Sequence, residues 1–195
     1  FGTDNGSFWA LNQSDGSTVW EYKTIFGSRK KKRFSAPALL GNTVYVGAAD
    51  GNFYALDAET GKRKWLYMEA DWIESAPCIA SKLGLVFVGL EFGLWNKYGG
   101  LVALDAETGK KEWEFALPAL TSSSPAYSQK YGIVVCASDT SVYCLDAKTG
   151  TLIWRYNGMN GDVKESFAFS EEQGLVCFSS FDSCVYILKI KTGEL

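Results

Sequence analysis

Short runs of alternating apolar and polar residues recur along this chain, and most of them end in a turn signal. The run "NTVYVGAA" is followed by Asp50-Gly51, and "YGIVVCAS" is followed by Asp139. Alternation with a period of two residues predicts half-buried β-strands, and the short polar sequences between runs predict hairpins. No segment keeps a helical period for more than a turn or two. The pattern therefore predicts an all-β protein made of short antiparallel strands.

One segment of nine residues occurs twice in nearly the same letters. It is "DAETGKRKW" at Asp57–Trp65 and "DAETGKKEW" at Asp105–Trp113, and related segments end at Trp20 and Trp154. The four tryptophans stand 45, 48 and 41 residues apart, and a fifth copy begins at Lys189–Leu195. Four short strands in each repeat of this length predict β-propeller blades, which bury their faces only by stacking on one another.

Each residue type in the motif has a predicted structural role. The glycine before each tryptophan supplies the positive φ of a bulged hairpin turn, and the aspartate accepts hydrogen bonds from backbone N–H groups in that turn. The tryptophan on the outer strand buries its ring between neighbouring blades. The predicted docking residues are Trp20, Trp65, Trp113, Trp154, Asp57, Asp105, Asp146, Gly16, Gly61, Gly109 and Gly150.

The repeats place one partial propeller domain over residues 1–195. Their approximate bounds are 1–22, 33–67, 73–115, 121–156 and 164–195, the first and last being partial. Three complete blades cannot close a ring at ordinary blade geometry. We therefore expect a longer polypeptide that supplies the remaining blades, or self-association if the chain is complete.

The string "YALDAETGKRKW" resembles the tryptophan-docking motif of the quinoprotein-type propellers, the pyrroloquinoline-quinone-like (PQQ-like) repeat family. The resemblance spans essentially all of the chain, because the motif, its spacing and the preceding "SSPA"-type strand all match. It implies a ring of seven or eight four-stranded antiparallel blades, of which this chain forms about four.

The resemblance also raises the question of a cofactor. The dehydrogenases of this family bind the quinone (PQQ) with Ca²⁺, use an aspartate as base and carry a disulfide between adjacent cysteines. This chain has no adjacent cysteine pair, and matching acidic and asparagine ligands are not evident. The same repeat also occurs without a cofactor, as in the outer-membrane assembly scaffold lipoproteins, which the chain resembles too. We expect no cofactor, no metal ion and no catalytic residue in this segment.

The third repeat contains an insertion, because ten residues separate Gly47 from Asp57 but sixteen separate Gly89 from Asp105. We predict a lengthened hairpin where other blades have a two-residue turn. Loops on rigid scaffolds often bind partners, and tryptophan and tyrosine are favoured anchors. The alternative is that its aromatic residues fold onto their own blade or onto missing blades. The candidate partner-binding residues are Phe92, Trp95, Asn96, Tyr98 and, in a connecting loop, Trp72.

Charged residues precede the innermost strands at aligned positions. Arg33, Glu74, Lys164 and Glu165 are predicted to line one mouth of the central channel, the alternative being loop residues that face water. The basic run "RKKKR" at 29–33 lies in the same kind of connection, and a solvated loop is the favoured interpretation.

Composition narrows the function classes. The net charge of −3 gives no general attraction to nucleic acid, and no apolar run is long enough to span a membrane. The five cysteines lie in apolar or alternating runs, which favours buried, reduced thiols. Reduced thiols slightly favour the cytoplasm, with a periplasmic or extracellular location as the alternative.

Three functions are compatible with these features. The leading hypothesis is a non-catalytic scaffold that mediates protein–protein or interdomain contacts, because the strong motifs are structural and paired catalytic groups are not evident. The alternatives are a fragment of a PQQ-dependent dehydrogenase, and a small-ligand sensor that binds at the channel mouth.

Overall fold

A computed structural model describes residues 1–24, 34–93, 97–121 and 123–195. The candidates Arg33, Trp95 and Asn96 and the run 29–33 lie outside the described residues. The strands are β1 (Ser7–Leu11), β2 (Thr18–Lys23), β3 (Ala38–Leu40), β4 (Thr43–Gly47), β5 (Phe53–Asp57), β6 (Arg63–Tyr67), β7 (Cys78–Ala80), β8 (Leu85–Phe92), β9 (Tyr98–Asp105), β10 (Lys111–Leu117), β11 (Ala126–Ser128), β12 (Ile133–Ser138), β13 (Ser141–Asp146), β14 (Leu152–Tyr156), β15 (Ala168–Ser170), β16 (Leu175–Ser179) and β17 (Val185–Lys189). One 3₁₀-helix spans Ser81–Leu83.

The strands form five antiparallel sheets in chain order. Three sheets have four strands: β3–β6, β7–β10 and β11–β14. A two-stranded sheet, β1–β2, precedes them and a three-stranded sheet, β15–β17, follows them. We call them the first to fifth blades. The predicted all-β architecture of four-stranded antiparallel blades is confirmed.

The first strand of each complete blade lies at the inner edge of the array. β3 contacts β7, and β7 contacts β11, so consecutive blades meet along these short strands. Pro37, Pro77 and Pro125 directly precede the three strands. Proline has no amide hydrogen, so at these positions the inner edge offers no donor that could pair with another strand.

The hydrophobic cores lie between blades. Phe53 and Ala55 of the second blade share one core with Val102 and Leu104 of the third. Because side chains alternate across a strand, the neighbouring residue Tyr54 faces the first blade instead. Both faces of β5 are therefore buried, and the second blade is stabilised chiefly by its two neighbours.

A tryptophan from the outer strand of each blade docks onto the next blade. The indole N–H of Trp154 donates to the carbonyl oxygen of Ile190 at 2.7 Å, and that of Trp20 donates to Ala58 at 2.8 Å. The other two pairs are Trp65 with Ala106 at 3.0 Å and Trp113 with Ala147 at 3.2 Å. The fifth motif copy, at 189–195, thus receives the tryptophan of the fourth blade.

The motif glycine lies against that tryptophan ring. Gly109 has φ +73°, and a Cβ added there would lie 2.6 Å from the ring of Trp65. Gly61, Gly150 and Gly193 stand in the same relation to Trp20, Trp113 and Trp154. Gly16 has the same conformation, with φ +70°, but nothing lies within 4 Å of its added Cβ. The glycine therefore meets two demands, positive φ and close approach of a ring, and sequence analysis identified only the first.

The motif aspartate organises the turn. Asp57 Oδ1 accepts hydrogen bonds from the backbone N–H of Thr60 at 2.9 Å and from its hydroxyl at 2.8 Å. Asp105 and Asp146 make the same pair of bonds with Thr108 and Thr149. These bonds, the threonine hydroxyl first, hold the pKa values of Asp57 and Asp105 below their usual range. A register shift between Ala55 and Leu56 places a bulge beside the turn.

The cysteines follow the expectation of buried thiols only in part. Cys136 and Cys144 are buried, Cys78 and Cys177 are partly buried, and all five are free thiols. Cys184 is exposed, which corrects the expectation. Its residue lies in the turn before β17, where the alternating pattern of the strand has not yet begun.

Candidate functional site

The antiparallel order of each blade gives it two different ends. The turns that carry the motif lie at one end, which we call the docking end. Because successive strands reverse direction, the turns between second and third strands share the opposite end with the connections between blades. We call this the mouth end. Its turns are 48–52, 93–97, 139–140 and 180–184, and its described connections are 68–77, 118–121 with 123–125, and 157–167.

The insertion in the third blade lengthens the strands and not the loop. β8 and β9 have eight residues each, whereas β4 and β5 have five. Five positions separate β8 from β9, as five separate β4 from β5, so three further residues in each strand account for the insertion. The expectation of a two-residue turn in the other blades is therefore wrong for the second blade and for the fifth, and it holds at 139–140. The added rungs raise the hairpin by about 10 Å, at roughly 3.3 Å per residue.

The connection from the second blade supports one side of the raised hairpin. The Glu91 N–H donates to the carbonyl oxygen of Trp72, and the Trp72 N–H donates to that of Glu91, both at 3.1 Å. The Gly93 N–H donates to Asp71 Oδ2 at 3.0 Å, and the Trp72 ring occupies the space where a Cβ on Gly93 would be. The structure therefore brings Trp72 to the hairpin, a juxtaposition that sequence analysis did not predict.

The connection to the fourth blade crosses the other side. A Cβ on Gly99 would lie 2.6 Å from the carbonyl oxygen of Ala119, so a glycine is required for that close approach. Leu90 and Glu91 are buried between the flanking segments. The base of the extension is consequently packed on both sides.

The aromatic residues at the end of the hairpin are stacked on each other. Phe92 and Tyr98 are directly paired in the ladder, with ring centroids 4.5 Å apart and planes within 8°. Phe92 is partly buried, whereas Tyr98 is 45% exposed. We call this pair the aromatic tip. Its side chains share the strand face of Val88 and Leu90, which is directed toward the second blade.

The described channel-mouth candidates have different surroundings. Glu74, Lys164 and Glu165 are all exposed at the mouth end. Lys164 Nζ lies 5.2 Å from the centroid of the Phe181 ring, which is a cation–π geometry. Lys164 also lines a cleft of about 250 Å³ together with Lys97, Asp139 and Asp162, and neither Glu74 nor Glu165 is part of its lining. We call this the mouth cleft; sequence analysis missed its other three charged residues.

A second concavity follows the inner strands of the array. It has a volume of about 440 Å³ and is lined by small, aromatic and hydroxyl-bearing side chains, none of them charged. Burial raises the pKa of Cys78, one of these residues, to about 11. Pyrroloquinoline quinone carries three carboxylates, and this groove supplies no cation to receive them, so its residues do not fit the cofactor.

Within residues 1–24, 34–93, 97–121 and 123–195, no three His, Cys, Asp or Glu side chains converge as a metal-binding group. Across the same residues, no helix is long and apolar enough to span a membrane.

Four-stranded blades joined by tryptophan docks, with the motif in every repeat, define a β-propeller of PQQ-like repeats. A family model described as outer membrane protein assembly factor BamB matches residues 1–88 and 68–195. The chain belongs to this family, which confirms the resemblance drawn from the motif.

Similar proteins include BamB and quinoprotein alcohol dehydrogenases. The chain is 33% identical to quinoprotein alcohol dehydrogenase PedE of Pseudomonas putida over 97 residues, which are 50% of this chain and 14% of that protein. The structure is similar to BamB from Moraxella catarrhalis, with a TM-score of 0.74 and 19% identity over 99% of this chain and 58% of that one. It is also similar to the quinohemoprotein alcohol dehydrogenase ADHIIG of Pseudomonas putida HK5, with a TM-score of 0.79 and 21% identity over 100% and 39%.

The chain therefore spans 14% of the length of its curated relative and 58% of the BamB chain. The two structural likenesses, at 19% and 21% identity, concern the fold.

Proposed function

We propose that this chain is a non-catalytic propeller scaffold that binds another protein, or another domain of its own polypeptide, through the third-blade hairpin. The observation that carries the proposal is the aromatic tip, a stacked pair whose Tyr98 is 45% exposed at the end of a raised ladder. The family model is named for an outer membrane protein assembly factor, which supports a role in protein contacts.

The tip has the physical properties of an interface anchor. Its backbone is held by the ladder of β8 and β9 and by the hydrogen bonds of Asp71 and Trp72, so little conformational entropy is lost on binding. Tyrosine offers a large apolar face with a polar end, and such residues are enriched among binding hot spots. An exposed aromatic pair on a rigid support therefore favours a protein contact.

Site-specific photo-crosslinking in the native host tests the proposal. A photoreactive amino acid at position 98 should give one discrete adduct, whereas the same residue at Leu152 should give none. Leu152 is the matched control because it is 43% exposed and lies on the outer strand of the fourth blade. An adduct of higher mass would identify a partner protein, and an internal crosslink would identify a second domain of the polypeptide.

The Tyr98→Ala variant provides the complementary measurement. It should abolish co-purification of the crosslinked partner without changing the circular dichroism spectrum. Equal adduct yield from positions 98 and 152, or undiminished co-purification with Tyr98→Ala, would contradict the proposal.

The second candidate is a portion of a quinone-dependent dehydrogenase, and the 33% identity to PedE favours it. In that case the quinone would contact residues outside the uncharged inner groove. The test uses the purified protein supplied with pyrroloquinoline quinone and Ca²⁺. Quinone absorbance that persists after gel filtration, together with alcohol-dependent dye reduction, would support this candidate over the scaffold.

A further inference from the structure

The mouth cleft is lined by four charged side chains, two cationic and two anionic. Lys97 and Lys164 line it with Asp139 and Asp162. Among the described residues, none of the ion pairs within 4.0 Å involves either lysine or either aspartate. The cleft therefore offers both cationic and anionic side chains to a molecule that enters it.

The cleft exists because small residues replace large ones in the connection to the fourth blade. Ser75 in the preceding connection aligns with Ser123 in this one. Three residues before that serine, the preceding connection has Trp72 and this one has Leu120. Four residues before it, Asp71 is replaced by Ala119. Ser75 and Ser123 occupy equivalent places, since each hydroxyl accepts a backbone N–H from the second strand of its blade. The smaller side chains leave space beside the raised hairpin.

Several charged groups of the cleft are held in place. The ring of Phe181 lies beneath Lys164 Nζ at 5.2 Å, and the Phe181 N–H donates to the carbonyl oxygen of Asp162 at 2.9 Å. Asp139 has φ +54° in its two-residue turn, a left-handed conformation that the second blade gives to Gly51. Aspartate is among the residues that adopt this conformation in two-residue hairpin turns, so the turn fixes the backbone from which the Asp139 side chain extends.

We propose that the mouth cleft binds a small zwitterion, a free α-amino acid with an apolar side chain. Its carboxylate would meet Lys97 and Lys164, its ammonium would meet Asp139 and Asp162, and its side chain would contact Leu120 and Val163, which also line the cleft. A volume of about 250 Å³ lies just below the usual range of ligand pockets, which suits a molecule of this size. This activity is independent of the scaffold role of the aromatic tip.

Isothermal titration with three related compounds tests the ligand class. L-leucine carries both charges, 4-methylpentanoate lacks the ammonium, and 3-methylbutylamine lacks the carboxylate. Leucine should bind the purified protein saturably, and each analogue should bind at least about tenfold more weakly because one charge-assisted interaction is lost. Absence of saturable leucine binding, or equal binding of either analogue, would overturn the proposal.

Charge-removing variants locate the site. Lys164→Gln and Asp139→Asn should each weaken leucine binding by about tenfold, and asparagine tolerates the left-handed conformation at position 139. Lys148→Gln is the matched control, because Lys148 is an exposed lysine at the docking end of the same blade, and it should leave binding unchanged. A folded Lys164→Gln protein that binds leucine as tightly as the control would also overturn the proposal.

Discussion

The docking end and the mouth end of these blades differ in how strictly they repeat. At the docking end, the letters "DAETGK" occur twice without change, and the fourth blade differs only slightly with "DAKTGT". At the mouth end, the turns between the second and third strands of the same blades differ in length. One hairpin, in the third blade, has three additional residues in each of its strands.

The difference follows from what each end must contact. The docking turns of the second to fifth blades each receive an indole ring, and a backbone carbonyl oxygen at each turn accepts the hydrogen bond from the indole N–H, so any change meets a large, fixed neighbour. The mouth turns contact connections of varying length, which can adjust. Uniformity therefore marks the structural end of the propeller, and variation marks the end where we propose that partners and ligands bind.

The largest expected effect comes from removing a docking ring. Trp154→Ala deletes a side chain that is 8% exposed and a hydrogen bond of 2.7 Å, and should lower the free energy of unfolding by about 3–5 kcal/mol. Urea denaturation followed by circular dichroism measures the change. Trp154→Phe retains a ring but no N–H, and should cost less. If Trp154→Ala lowered the free energy of unfolding no more than a substitution at an exposed position does, the docking end would not be the more stabilising end of the blade.

The same substitution at two glycines separates the stability lost through backbone strain in the turn from the stability lost through overlap with the docked tryptophan. Gly16→Ala and Gly109→Ala both place a Cβ at positive φ, but only Gly109 faces a tryptophan. Each should lose about 1–2 kcal/mol for the backbone conformation, and Gly109→Ala about 1–3 kcal/mol more for the overlap with Trp65. Parallel thermal and urea melts give the difference. Equal losses would show that the turn needs glycine for its φ alone.

At the mouth end, Tyr98→Ala should be tolerated. The substitution removes a half-exposed ring and its stacking on Phe92, so the stability should fall by about 1 kcal/mol. Differential scanning fluorimetry would report this small shift, and the crosslinking yield would report the functional loss. A stability loss comparable to that of Trp154→Ala would make the tip structural.

The smallest effect concerns acid stability at the docking end. Because hydrogen bonds lower the folded-state pKa values of Asp57 and Asp105, their stabilisation is present above the unfolded pKa, near about 3.9, and is lost as the pH falls through the lower folded values. The double variant Asp57→Asn with Asp105→Asn should therefore lose stability less steeply below about pH 4. Urea midpoints measured between neutral and acidic pH test this, and an unchanged slope would contradict it.

Most of the fold was predictable because the repeated motif is local. Strand alternation, the Asp–Gly turns and the tryptophan spacing each depend on residues close in sequence, and together they fix the blade. The contact of Gly109 with Trp65 was not predictable from one motif copy, because the two residues belong to different blades. It follows once the copies are stacked in order, since four glycines then face four rings.

The candidate site was predicted less completely. The insertion at Gly89–Asp105 was evident from the sequence, but six residues can enlarge a loop or extend a ladder with the same effect on spacing. The ladder was favoured because Gly99 permits the close approach of Ala119 and because Trp72 packs over Gly93. The mouth cleft depends on residues from four separate segments, so no local pattern identifies it.

The sameness of the docks has a consequence for how such a chain can change over time. Each dock consists of one tryptophan ring, one glycine and one backbone carbonyl oxygen. These three groups are the same from blade to blade. At the docks themselves, a duplicated or exchanged blade would thus present the same contacts to its new neighbour. Substitutions and insertions in the mouth-end turns leave the docking contacts unchanged. The mouth end can therefore diverge in sequence while the packing at the docks is retained.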